Sequence, residues 1–149
     1  MTQAVVAGAL VVAALNALAG LFGVLRWLRG EPSRAFWVLL RVAQGSALAL
    51  AIAVGSLAVT GHYSSERLFY IYSLLPLAVA FVAEQLRAAA AQTILDRRGL
   101  ASAAAVGELP ELEQRRVVAE IVTRELAIMA LSALVVAFLA LRAASTAHF

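Results

Sequence analysis

The placement of charged residues constrains this chain more than any other feature. No charged side chain occurs before Arg26, and three further uncharged stretches lie between Arg41 and Glu66, Arg67 and Glu84, and Glu125 and Arg142. A helix needs roughly 20 apolar residues to cross a hydrocarbon core of about 30 Å. The first run has 25 residues and the second 24, so both meet that length outright. The last two hold 16 each; they span only if their bounding charges snorkel towards water. The pattern predicts an all-α fold: an integral membrane four-helix bundle forming one transmembrane domain over 1–149, with spans at 4–26, 34–59, 67–88 and 124–143.

Composition agrees with lipid as the main solvent. Charged residues make up 14% of the chain, against about 25% in a soluble domain. There is no cysteine, which excludes disulfides, thiol redox chemistry and Cys-ligated metals. A cleaved signal peptide needs a basic leading segment, and Met1-Thr2-Gln3-Ala4 has none, so the first run is expected to be a retained span.

Arginine placement predicts orientation. All 12 basic residues are arginine. Arg26, Arg29 and Arg34 lie around the first loop, and Arg87, Arg97, Arg98, Arg115, Arg116 and Arg124 lie between the third and fourth spans. Only Arg67 and Arg142 lie towards the other side, while Arg41 falls inside a span. The positive-inside rule then puts both termini outside and both basic loops in the cytoplasm. Topology therefore explains the net charge of +3 without nucleic-acid binding, for which no basic–aromatic motif is present. Arginine without lysine in an alanine-rich chain suggests a GC-rich bacterial genome, hence a bacterial inner (plasma) membrane.

The segment 89–123 is the one sizeable part expected outside the bilayer. Its first half continues the third helix to Gly99, a suitable C-terminal cap. Residues 100–108 suit a loop with room for one helical turn. Pro110 suits the first position of a helix, with Glu111 and Glu113 in its first turn. Helices three and four thus extend into the cytoplasm as a hairpin, with Leu112, Val118 (or Val117) and Ile121 expected to face Ile94, Leu95 and Leu100. Glu113, Arg115, Arg116 and Glu120 form its solvated face. Tyr63, Tyr70 and Tyr72 near one boundary and Trp27 and Trp37 near the other read as an aromatic belt.

Ionisable residues inside spans are the candidate site, because each is costly unless paired or hydrated. Arg67 to Glu84 and Glu125 to Arg142 are both 17 residues apart. If helices three and four pack antiparallel, Glu84 and Glu125 share a depth near the cytoplasmic side. Arg41 and Gln44 fall near that level, with Gln85 and Arg87 beside Glu84 and Arg124 at the rim. The cluster is either an Arg–Glu network in which a guanidinium bridges two carboxylates, or a polar cavity for an ion, proton or anionic headgroup. Asn16, in the middle of the first span, suits an interhelical hydrogen bond or a cavity lining. Pro76 should free a carbonyl near Tyr72 or Ser73. The small-residue rows Ala43/Ala47/Ala51/Gly55 and Gly45/Ala49/Ala53 favour close packing or self-association.

Familiar chemistry is missing. His62 and His148 both lie outside the spans, and neither has a metal-ligand partner at useful spacing. No phosphate loop, nucleophile elbow or zinc-protease motif occurs, and Ser56, Ser73 and Ser132 lack a histidine base at their depth. No cofactor, metal or catalytic residue is predicted. Two functions remain: a non-catalytic self-associating or accessory subunit working with a membrane partner or its own copies, or a small transporter or ligand-binding bundle that uses the Arg/Glu cluster. The absence of a midplane carboxylate favours the first.

Overall fold

The structure, a computed structural model, describes residues 2–148, so the end residues of the domain expected over 1–149 lie outside it. Four long helices form the molecule: α1 (Thr2–Leu28), α2 (Arg34–Val59), α3 (Arg67–Arg97) and α5 (Glu111–Thr146). A single short turn, α4 (Ala103–Val106), interrupts the connection between α3 and α5. The described residues include no β-strand. All four long helices are apolar and long enough to cross a membrane, with mean hydropathies of 2.3, 1.9, 1.5 and 2.3 over their most apolar stretches.

Helix α5 packs most extensively, against α1 and α3; α2 packs on α1 and more lightly on α3. The shared interior contains small side chains set around a few large ones. Its best-filled layer joins Ala19 of α1, Phe36, Leu40 and Ala43 of α2, Ala83 of α3, and Leu126, Met129, Ala130 and Ala133 of α5. Further layers centre on Val12, Ala13, Ala47, Val136 and Ala140, and on Val5, Val54, Phe69 and Ala147. Large apolar residues such as Leu18, Leu21, Val38, Phe81 and Phe138 instead face outwards.

Two glycines set the spacing of α1. A Cβ at Gly20 would meet the Leu134 side chain at 2.5 Å, and one at Gly23 would collide with the Phe36 ring and the Ala130 Cβ. These positions let α1 approach α5 and α2 closely enough for dispersion contacts, the main packing force where lipid and side chain are equally apolar. Gly45 and Gly55 meet nothing within 4 Å. Of the row Ala43/Ala47/Ala51/Gly55, the three alanines are buried and the glycine is exposed.

Helices α1, α2 and α3 end on the same device. Gly30, Gly61 and Gly99 adopt φ of +64°, +82° and +68°. In each case the following N–H donates five residues back, from Glu31 to the Arg26 carbonyl, His62 to Leu57 and Leu100 to Leu95, at 2.9–3.0 Å. This Schellman closure satisfies carbonyls that the helix end would otherwise leave open.

The far ends of α3 and α5 have an apolar cluster of their own, to which neither α1 nor α2 contributes: Ile94, Leu95 and Val117, with Leu100, Val106, Leu109 and Ile121 around them. Of the two valines that could face inwards, Val117 does. Two expectations need correction here. Leu112 is 63% exposed, because it lies about 140° around α5 from the buried Val117. Pro110 precedes the helix instead of opening it, and its carbonyl accepts the Gln114 N–H at 3.0 Å. Gln114 also donates its side-chain amide to the carbonyls of Gly107 and Leu109, tying α4 to α5.

Candidate functional site

Three of the charged residues singled out from the sequence meet between α2 and α3. Glu84 accepts from Arg41 Nη1 at 2.7 Å through one carboxylate oxygen and from Arg87 Nε at 3.0 Å through the other. The same Arg41 nitrogen donates to Gln44 Oε1 at 2.7 Å. Helix geometry explains two of these contacts, because Gln44 is one turn beyond Arg41 and Arg87 one turn beyond Glu84. The Arg41–Glu84 pair is the tertiary contact, spanning from α2 to α3. Arg87 also lies over the Trp37 ring, its guanidinium carbon 5.6 Å from the centroid, so a cation–π contact adds a second tie between these helices.

The arrangement inverts the expected bridge: one carboxylate joins two guanidinium groups. Glu125 is partly buried and within electrostatic range of Arg87 and Glu84, but it forms no ion pair among the described residues. Gln85 is exposed and takes no part, since it lies about 100° around α3 from Glu84. Arg124 is exposed as well and separates from the cluster, lining a groove on the α1 side of α5 together with Trp27. Equal depth along two helices does not bring side chains together unless they also share a face.

Asn16 is almost completely buried. Its side-chain amide donates to the Val12 carbonyl at 2.9 Å within α1 and to the Ala43 carbonyl of α2 at 3.3 Å. One polar group therefore links α1 to α2 at the level of the Ala43/Ala47 row. Ser73 is buried with its hydroxyl unpartnered among the described residues, one turn before Pro76 of α3. Among the described residues, no side chain hydrogen-bonds the Tyr72 or Ser73 carbonyl. The second small-residue row is not internal: Ala49 and Ala53 line an external groove of about 730 Å³ between α1 and α2, with Ala4, Gly8 and Val11 opposite.

At the other end of the bundle, the α2–α3 connection holds the C-terminal segment. The His148 carbonyl accepts from the Ser64 hydroxyl at 2.8 Å and from the Ser65 backbone N–H at 3.0 Å. The Tyr70 hydroxyl accepts the Ser64 N–H at 2.8 Å. Sequence inspection gave no signal for this contact, because it depends on residues 84 positions apart. Arg142 lies 5.5 Å from the Tyr72 ring centroid, and the His62 ring bonds Thr60. No group of three or more His, Asp or Glu side chains capable of holding a metal ion occurs among the described residues.

In comparisons with known proteins, no family model, curated protein or solved structure matches the chain.

Proposed function

We propose that the chain is a non-catalytic, four-span protein of a bacterial inner membrane, acting as a self-associating or accessory subunit. In this reading both termini lie outside, and the ends of α3 and α5 extend into the cytoplasm as a hairpin that contacts a partner or a second copy. The observation that carries it is the separate apolar cluster of Ile94, Leu95 and Val117, which packs α3 on α5 without help from α1 or α2. Arg98 reinforces it by pairing with Glu120 at 2.8 Å and Glu113 at 3.9 Å. This segment is ordered by its own contacts, yet it leaves Leu112 and Val118 exposed among charged neighbours. Exposed apolar side chains on an aqueous surface suit a contact site. The external α1–α2 groove lined by Ala49 and Ala53 supports the self-associating form, since small residues permit close helix approach.

Native mass spectrometry of the full-length chain in mild detergent tests this. A defined multimer that dissociates in a Leu112→Glu, Val118→Glu double variant supports the hairpin as the contact. A monomer that retains a small molecule defeats it. That outcome would favour the second reading, a small transporter or ligand-binding bundle built on the Arg/Glu cluster, for which the partly buried Glu125, with no ion pair among the described residues, is the supporting observation.

A further inference from the structure

Because Arg124 faces away from the Glu84 cluster, it lies in a groove of its own. This groove, of about 650 Å³, lies between the end of α1 and the middle of α5 and is lined by Trp27, Glu120, Thr123, Arg124, Ile128 and Leu131, among others. Order along α5 makes it amphipathic: Glu120, Thr123 and Arg124 come first, and Ile128 and Leu131 follow one to two turns later. The Arg124 guanidinium, the Thr123 hydroxyl and the Trp27 indole N–H make no hydrogen bond or ion pair among the described residues. Glu120, the one carboxylate in the groove, is already engaged by Arg98 at 2.8 Å. Three open donors meet one carboxylate whose charge Arg98 already offsets through a single oxygen, so the site favours an anion, and its apolar end favours one that carries hydrocarbon.

We propose that this groove seats one anionic glycerophospholipid, with its phosphate at Arg124, Thr123 and Trp27 and an acyl chain along Ile128 and Leu131. The assignment rests on the membrane orientation proposed above, which puts Trp27 and Arg124 at the headgroups of the cytoplasmic leaflet. Tryptophan favours that depth, and basic pockets between spanning helices on that side bind anionic headgroups. A zwitterionic lipid fits less well, because its ammonium would add a second cation beside Arg124, and the charge of Glu120 is already offset by Arg98.

The test uses full-length protein, delipidated in mild detergent and titrated with phosphatidylglycerol or phosphatidylcholine, with bound lipid counted by native mass spectrometry. Both lipids carry the phosphate, but only phosphatidylcholine adds a cation beside Arg124, so phosphatidylglycerol should bind at about tenfold lower concentration. Arg124→Gln should abolish the preference, whereas Arg142→Gln, at the opposite end of α5, should keep it. Should Arg124→Gln fail to fold by circular dichroism, Thr123→Val tests the same seat and should weaken binding of the anionic lipid alone. Equal binding of the two lipids, a preference that survives these groove variants, or equally strong binding of glycerol 3-phosphate would each overturn the proposal. Alkaline carbonate extraction separates the two levels of inference. Release of the chain from membranes defeats the membrane reading, while retention without a lipid preference defeats the headgroup seat alone.

Discussion

Glu84 organises the polar cluster because its two oxygens receive different guanidinium groups, one from α2 and one from its own helix. The Arg41 side chain is 53% exposed and that of Glu84 28%, so solvent or headgroup screening discounts the pair heavily. Arg41→Leu should therefore cost about 1 kcal/mol or less in detergent-unfolding experiments. Glu84→Leu removes both pairs at once and should cost more, up to about 1 kcal/mol for each pair lost. Unfolding midpoints of both variants equal to that of the unsubstituted chain would show that the network contributes nothing. Asn16 is a different case, buried and bonded across to Ala43. Replacing it with Ala should cost roughly 0.6–1.7 kcal/mol in the same assay, the range for interhelical hydrogen bonds in membranes. The residues of this cluster are visible in the sequence because charges are rare in apolar stretches. Their pairing is not, since Gln85 and Arg124 have the right depth but the wrong azimuth.

Among the helices, the close approach of α1 to α5 and α2 depends on two positions. Gly23→Leu should destabilise the bundle by about 1–3 kcal/mol through overpacking against Phe36 and Ala130. Gly45→Ala, where a Cβ meets nothing, should be neutral or stabilise by up to about 1 kcal/mol through helix propensity. If thermal melts in detergent show both changes to be equally harmful, then steric approach is not what glycine provides at Gly23. All these glycines look alike in sequence, and only the neighbour opposite each one distinguishes them. The α3–α5 ends make a similar point. Their helical continuation is legible from Gln92 through Arg98 and from Glu111 onward, but the choice of Val117 over Val118 turns on the rotation of α5 about its axis, since consecutive residues lie about 100° apart.

For the whole molecule, the proposed orientation makes the most direct prediction. The chain has no cysteine, so Ala104→Cys in α4 and His62→Cys in the α2–α3 connection each report one location. In intact inner-membrane preparations, a membrane-impermeant maleimide should label His62→Cys from outside, and Ala104→Cys only after the cytoplasmic side is opened. Labelling in the reverse order would invert the topology, and labelling of both from one side would reject four spans. The sequence alone determined that four helices exist and roughly where they run, because uncharged length is a one-dimensional property tied directly to helix and bilayer dimensions. The tertiary structure decided which side chains meet: Glu84 between two arginines, Gly23 under Phe36, Arg124 beside Trp27, and the His148 carbonyl held by Ser64 and Ser65. Those contacts depend on the rotation of each helix about its axis and on which helix stands opposite, and no run of residues along a single chain records either.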